Sequence, residues 1–383
     1  MMDPGLAIVL TGVLISIACA LSGAFLVLRK MAMMADAISH AILPGVVAAY
    51  FLARGPNLLA GFLGAAAAAV ITVSLIEALA NTHRMAGESA IGLVFPAMFA
   101  LGTFLISRYF TNVHLDLDAV LYGNIEFVGF EHLLVAGMNF GPQALWVMVA
   151  LCIVNLLFIG LLFKELKLAT FDPGLAAALG FSPALLHYLL MAVTSVTAVG
   201  AFTAVGAVLV VALMIIPAAT AHLLTDDLKR MIAIACLVGA LGAVLGYGIA
   251  RAINASVSGA MVTVLGAQFL LVVLFSPAHG LIARARRLER QRVQFALQSL
   301  LVHLLHHEAQ AGEEHEAEVR HLSTELRWTR KFAQRIVHAA LSRNYVIYQD
   351  GRLMLTEDGR RLADRLTAQH PFGGNDAASS AGR

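Results

Sequence analysis

Along the first 280 positions, apolar residues occur in runs of about twenty separated by short polar segments. A helix that crosses the hydrocarbon layer of a membrane needs about 20 mostly apolar residues. Long runs cover 5–28, 57–80, 88–107, 143–163, 205–224, 229–250 and 257–280. Two shorter runs, 39–53 and 184–200, contain or adjoin proline and glycine, which predicts short, kinked or partly re-entrant helices. The pattern predicts an all-α polytopic membrane protein with eight or nine transmembrane helices.

Composition divides the chain near residue 282. Apolar residues make up 59% of the whole, and 22 charged residues fall in positions 1–280 against 28 in the last 103. This contrast predicts a transmembrane domain at 1–282, a soluble domain at 283–370 and a disordered tail of small polar residues at 371–383. It excludes a secreted enzyme. The three cysteines lie inside apolar runs, without the spacing of a disulfide framework or a zinc finger.

Basic residues favour the cytoplasmic side of a membrane. The pairs Arg29/Lys30, Lys164/Lys167 and Lys229/Arg230 and the basic run 284–292 fit one scheme with nine crossings and an external N-terminus. The segment 109–143 is too polar to cross as one helix. We expect it to form a loop with a short surface helix.

An ionisable side chain at mid-membrane costs about 2.5 to 3.5 kcal/mol on insertion scales, so each one needs a reason. Asp36 and His40 are four residues apart and share one face if their segment is helical. Oxygen and nitrogen donors suit a divalent ion such as manganese or zinc, and Pro44 and Gly45 next along favour a break that frees carbonyls. In the alternative interpretation, Asp36 caps the helix and His40 makes one internal hydrogen bond.

Two further residues are weaker metal candidates. Glu88 opens a long apolar run, where a carboxylate also complements the positive end of a helix. His222 follows Pro217, which removes a backbone hydrogen bond and favours a polar pocket, although an imidazole at a helix end also reaches the interface. For both residues the structural alternative is favoured over metal binding.

Residues 171–181 form a short unit with both ends specified. Asp172 is a good N-cap, Pro173 occupies the favoured first helical position and Gly180 is a natural stop. The unit is either a connector or a helix that docks into the groove of a partner protein.

The order of these motifs resembles the zinc and manganese ABC transporter permeases over positions 5–280. The matching segments are Asp36-Ala-Ile-Ser-His40 with Pro44-Gly45, Glu88-Ser-Ala-Ile-Gly92, Leu121-Tyr-Gly-Asn124, Phe171-Asp-Pro173 with Leu179-Gly180, and Ile216-Pro-Ala-Ala-Thr220.

The resemblance implies a permease in the bacterial cytoplasmic membrane that dimerises with a second copy. It takes zinc or manganese from an extracytoplasmic binding protein and holds no permanent cofactor. A separate ATPase subunit drives it, in keeping with the absence of a phosphate-binding loop motif from the sequence. Asp36 and His40 correspond to the metal pathway, and Phe171, Asp172, Pro173, Leu179 and Gly180 to the ATPase-coupling helix. The family usually has arginine where this chain has His222, which leaves that role open.

The soluble region predicts helices at 284–308, 316–325 and 329–343, a hairpin turning at Asp350-Gly351, and a last helix from Thr356. This order resembles a winged helix-turn-helix domain, which we expect in the cytoplasm. Its third helix is basic, but the modest net charge favours regulation or subunit contact over nucleic-acid binding. His303 and His307 share a helical face that could sense metal, although solvated charge near a loop is the slightly favoured interpretation.

A rival hypothesis comes from the same two regions. The chain would then be a membrane-anchored, metal-responsive transcriptional sensor, in which the helices only detect metal or anchor the soluble region.

Overall fold

The computed structural model describes residues 3–55, 58–82, 85–109, 123, 125–130, 132–135, 138–277, 279–309, 326, 328–349 and 352–369. The chain divides into two compact units, Met1–Leu281 and Ile282–Arg383, which we call unit 1 and unit 2.

Unit 1 is built from apolar helices. They are α1 (Pro4–Leu28), α2 (Ala32–Ala41), α3 (Leu43–Ala53), α4 (Leu58–Ala80), α5 (Gly87–Tyr109), α6 (Gln143–Leu161), α7 (Phe163–Phe171), α8 (Pro173–Ala178), α9 (Pro183–Leu224), α10 (Leu228–Ile253) and α11 (Val257–Phe275). Within the described residues, eight helical stretches are long and apolar enough to cross a membrane, with α2 and α3 together forming one of them. Helices α1 and α9 are the most buried of these stretches and form the centre of the unit.

The polar segment between α5 and α6 is described only in part. Its described part contains a single 3-10 turn at Ile125–Phe127 and an antiparallel hairpin, β1 (His132–Val135) with β2 (Met138–Pro142). The surface helix expected in this segment stays a prediction, because residues 110–122 lie outside the described residues. The two strands satisfy backbone groups by pairing with each other, which the polar composition alone did not indicate.

Helix α9 is too long for one crossing. At 42 residues it would extend about 63 Å if straight, twice the roughly 30 Å of the hydrocarbon layer. Gly206 interrupts it with φ 76° and ψ 170°, a conformation that is essentially restricted to glycine. The separate apolar runs predicted at 184–200 and 205–224 therefore correspond to the two halves of α9.

Contacts show that the two halves run in opposite directions. At Gly206, the Val205 carbonyl accepts from the Ser258 hydroxyl (3.5 Å), at the start of α11. Both outer ends of α9 lie at the other side of unit 1. Near its beginning His187 contacts Arg29, which follows α1, and near its end the Leu223 carbonyl accepts from Ser276 (2.7 Å), which follows α11. Counted with this reversal, the described helices make nine crossings.

We call the side that holds Arg29, α7 and α8 the α8 end. Lys229, at the start of α10, belongs to it, because its ammonium lies 5.7 Å from the ring centroid of Phe163. The opposite end holds Pro4, packed against Gly129, and the Val257 N–H, which donates to the Glu126 carboxylate (3.0 Å). An odd number of crossings places the beginning of α1 and the end of α11 at opposite ends.

The pair α2–α3 is one crossing with a break at Ile42. Pro44 lies in the first turn of α3 and has no N–H to donate. In a continuous helix that N–H would bond to the carbonyl of His40, four residues earlier. The break predicted from Pro44 and Gly45 is present and falls beside a candidate metal ligand.

Small residues let α3 and α4 approach closely. A Cβ atom at Gly64 would overlap the carbonyl oxygen of Gly45, and a Cβ at Gly45 would overlap the carbonyl of Gly64. Each glycine is followed four residues later by an alanine, Ala49 and Ala68 respectively. This small-residue spacing is typical of helix contacts in membranes, where apolar burial alone gives no driving force.

Unit 2 contains α12 (Leu281–Ala309), α13 (Arg330–Ser342), an antiparallel hairpin of β3 (Val346–Gln349) and β4 (Arg352–Leu355), and α14 (Glu357–Gln369). Its core packs Leu300 and Leu301 of α12 with Ile336 of α13 and Val346 of β3. Three predicted helices and the predicted hairpin strands are present. The helix predicted at 316–325, the turn residues Asp350-Gly351 and the tail 371–383 lie outside the described residues.

A matched glycine pair tests the close α3–α4 contact. Gly64→Ala should lower the free energy of unfolding by about 1 to 3 kcal/mol, because the methyl group must displace backbone. Gly61→Ala, one turn away with nothing within 4 Å of an added Cβ, should raise it by up to about 1 kcal/mol through helix propensity. Thermal unfolding in detergent measures both. Equal effects of the two substitutions would contradict the contact.

The reversal of α9 predicts the sidedness of its flanking loops. In a background with the three native cysteines replaced by alanine, Phe181→Cys and Asp226→Cys should react with a membrane-impermeant maleimide under the same condition, either intact or permeabilised cells. Ala255→Cys, at the opposite end, should react under the other condition. Different behaviour of positions 181 and 226 would make α9 a single crossing.

Candidate metal pathway and coupling segment

Helix α2 presents two different faces. Met34 and Ile38 are fully buried in the core of unit 1, whereas Asp36 and His40 lie on a partly open face with side chains 41% and 29% exposed. The helical spacing predicted from the sequence therefore brings the carboxylate and the imidazole together. His40 Nε2 lies 3.5 Å from Asp36 Oδ1.

The separation of these two atoms suits a shared ion. Metal–ligand distances of about 2.0 to 2.2 Å from nitrogen and oxygen donors, at a tetrahedral angle, separate the two donor atoms by about 3.4 Å. A direct hydrogen bond between the same atoms is usually shorter, near 2.9 Å. The 3.5 Å separation is compatible with two ligands of one divalent ion and is longer than a usual direct hydrogen bond.

Aromatic rings of α5 surround the imidazole. The ring centroid of His40 lies 5.9 Å from that of Phe95 and 6.1 Å from that of Phe99, which it meets edge to face. The rings restrict how the imidazole can turn, because edge and tilted arrangements have preferred geometries. No sequence motif indicated either phenylalanine.

The weaker metal candidates lie elsewhere. Glu88 is exposed in the first turn of α5, and His222 is exposed in the last turn of the second half of α9. Across the residues that the structure describes, no group of three or more histidine, cysteine or acidic side chains is close enough to hold an ion. Metal roles for Glu88 and His222 stay predictions, and their positions also fit the structural alternatives. In unit 2, His303 lies on α12, and the side chain of His307 is outside the described residues.

Helix α8 has both of its predicted ends. The Asp172 carboxylate accepts a hydrogen bond from the Leu175 N–H (2.9 Å), and Pro173 is the first helical residue. Gly180 has φ +88°, so it ends the segment in the left-handed region that favours glycine. This short helix needs specified ends because a helix of under two turns has little stability of its own.

The same segment exposes apolar side chains. Phe171 is 59% exposed, Leu179 is 61% exposed, and Leu175 between them is also exposed. These three side chains flank or belong to α8. The carboxylate that caps α8 already has its hydrogen-bond partner, so the outer surface of the helix is mainly apolar. An apolar helix surface of this kind is what docking into a groove requires.

A polar network at the α8 end joins four segments. Arg29 donates through Nε to the Thr170 hydroxyl (3.1 Å), and its Nη1 contacts His187 Nδ1 (3.3 Å). His187 Nε2 in turn pairs with the Glu77 carboxylate. Burial lowers the pKa of the Arg29 guanidinium from its ordinary value. We call Arg29, Glu77, Thr170 and His187 the junction network.

Sequence reasoning missed the junction network. Its members are up to 158 positions apart, so no local motif indicates their proximity. One signal was available, because Glu77 is the single charged residue of the apolar helix α4. An ionisable residue in such a helix is by default a functional candidate.

Comparison with known proteins identifies the family. A family model described as the ABC 3 transport family matches residues 5–276, which is nearly all of unit 1. The chain belongs to the ABC 3 transport family.

Relatives of this ABC 3 chain include the zinc transport system membrane protein TroD of Treponema pallidum (strain Nichols). It is 43% identical over 356 residues, covering 93% of this chain and 97% of TroD. The manganese transport system membrane protein MntD of Bacillus subtilis (strain 168) is 44% identical over 280 residues, covering 73% of this chain and 95% of MntD. The TroD match is longer than unit 1, so it extends into unit 2.

A solved structure supports the same fold for the ABC 3 chain. PsaBC from Streptococcus pneumoniae in complex with Fab contains a chain that matches with a TM-score of 0.63 and 29% sequence identity. The match covers 76% of this chain and 96% of that chain.

Proposed function

We propose that the chain is the membrane permease subunit of an ATP-binding-cassette importer for a divalent transition metal ion, zinc or manganese. The observation that carries the proposal is the Asp36–His40 pair in a chain of the ABC 3 transport family. Relatives named for zinc transport and for manganese transport are about equally similar. Donors of one oxygen and one nitrogen accept both ions.

In this proposal, unit 1 contains the path of the metal ion and the surface on which ATP hydrolysis acts. The ion passes Asp36 and His40, and the half-exposed carboxylate offsets part of its charge. A separate ATPase subunit hydrolyses ATP and grips α8 through Phe171, Leu175 and Leu179, whose apolar side chains are exposed. An extracytoplasmic binding protein delivers the ion at the opposite end, and a second permease copy completes the membrane part.

The localisation follows from the same assignment. The nine apolar crossings fit the bacterial cytoplasmic membrane, with the α8 end on the cytoplasmic side. Lys164, Lys167, Lys229 and Arg230 cluster near that end, as basic residues do on cytoplasmic surfaces. Because α11 ends there, unit 2 would be cytoplasmic.

Unit 2 is proposed as a regulatory or subunit-contact module. Its described elements follow the order helix, helix, hairpin, helix, which supports a winged-helix interpretation. Helix α13 is basic, but salt bridges such as that between Arg335 and Glu289 neutralise part of its positive charge. We therefore favour a protein or regulatory contact over nucleic acid.

Removing one donor should stop transport. In cells that lack other metal importers, Asp36→Asn or His40→Gln should lower uptake of radioactive zinc or manganese at least tenfold, because the ion loses a ligand while side-chain volume is kept. His279→Gln, an exposed histidine at the α8 end, is the matched control and should transport normally. Membrane levels are compared by immunoblot. Normal uptake by both donor variants would overturn the proposed path.

Truncation separates the permease from the membrane-anchored sensor. A chain that ends at residue 281 should retain uptake within about twofold, because the whole ABC 3 match lies before that point. Transcript levels of metal-responsive genes are measured in parallel, with full-length Asp36→Asn as the non-transporting control. Gene control that persists in Asp36→Asn and disappears on truncation would favour the sensor.

A further inference from the structure

The junction network lies on both sides of α8. Thr170 is on α7, two residues before the cap Asp172, and His187 is in the second turn of α9, after the segment ends. A displacement of α8 therefore acts on both residues. Each of them is tied through Arg29 or Glu77 to a helix distant in sequence.

Arg29 and Glu77 connect the junction network to the crossing that carries Asp36 and His40. Arg29 follows α1 directly and is three residues before α2, which carries Asp36 and His40. Glu77 lies in the last turn of α4, which packs against α3 through the close approach of Gly45 and Gly64. The network thus reaches both halves of the α2–α3 crossing. Arg29, which meets both flanks of α8, leads to α2, and Glu77, which pairs with His187, leads through α4 to α3.

The protons of the network follow from its chemistry. A guanidinium only donates, so the Nδ1 atom of His187 must accept from Arg29. The ring proton is then on Nε2, which donates to the Glu77 carboxylate. A neutral imidazole bridges a cation and an anion, and each contact fixes the direction of the other.

The network is not saturated. The Nη2 atom of Arg29 is buried without a hydrogen-bond partner among the described residues. A spare donor is what a junction needs if its partners change as the flanks move.

We propose that Arg29, Glu77, Thr170 and His187 are positioning residues that transmit movement of α8 to α2 and α3 and so set access to Asp36 and His40. The inference rests on the proposed function, in which an ATPase moves α8. None of the four contacts the ion itself. Their loss should separate ATP hydrolysis from ion movement, and general destabilisation would not produce that separation.

The test measures ions moved per ATP hydrolysed. The full chain, its ATPase subunit and its binding protein are reconstituted in liposomes with zinc or manganese. Thr170→Val removes the hydroxyl at nearly constant volume and should lower the ratio at least fivefold, with ATP hydrolysis within twofold of the unaltered protein. Thr170→Ser keeps the hydroxyl and should restore the ratio.

Arg29→Lys tests geometry apart from charge. Lysine keeps the positive charge of Arg29. Its single ammonium replaces two separate donors, Nε and Nη1, which reach Thr170 and His187 in different directions. It should therefore also lower the ratio at least fivefold. Lys30→Gln, an exposed neighbour at the same end, is the control and should leave the ratio unchanged.

Glu77→Gln and His187→Gln should each lower the ratio, and the double variant should be no worse than the poorer single one, because both break one contact. An unchanged ratio of ions moved per ATP hydrolysed in both Thr170→Val and Arg29→Lys would overturn the inference. A fall of ion uptake and ATP hydrolysis in the same proportion would overturn it as well. If Arg29→Lys fails to accumulate, the Thr170 pair decides. Unaltered protein that neither moves ions nor supports hydrolysis refutes the proposed function instead.

Discussion

Polar groups inside an apolar helix bundle have no water to pair with, and this constraint organises unit 1. Several buried hydroxyls solve it locally by donating to a carbonyl one turn earlier, as Ser16, Thr72 and Thr220 do. Ionisable groups cannot be satisfied in that way. Among the described residues, Asp36 and His40 share the open face of α2, and Arg29, Glu77 and His187 meet in the junction network. These are the two places to which we assign function.

The division between these places has a mechanical sense. Asp36 and His40 lie on a partly open face, where the proposed function has the ion enter and leave. The junction network is more enclosed and links helices that are far apart in sequence. In the proposed function, the first place exchanges the ion with water and the second transmits movement. The break beside Pro44 separates Asp36 and His40 on α2 from the close packing of α3.

Local signals predicted much of the fold, and contacts distant in sequence account for what was missed. The length of apolar runs predicted the spans because the thickness of the membrane fixes it, and Asp172, Pro173 and Gly180 predicted α8 because capping is a short-range interaction. The spacing of Asp36 and His40 likewise predicted their contact. Periodicity could not show that the Arg29 guanidinium meets Thr170 and His187, since those pairings depend on how α1, α7 and α9 pack. The hairpin between α5 and α6 was missed because a polar segment indicates only that the chain does not cross the membrane there.

Gly206 shows how narrowly the reversal of α9 is specified. Its backbone angles are open to glycine and strained for every other residue type. Any single-base change in a glycine codon that alters the amino acid adds a side chain or a stop. A coding error at that codon would therefore alter the direction of half a helix, and with it the pairing of Leu223 with Ser276, so mutational scanning should find this position among the least tolerant in the gene.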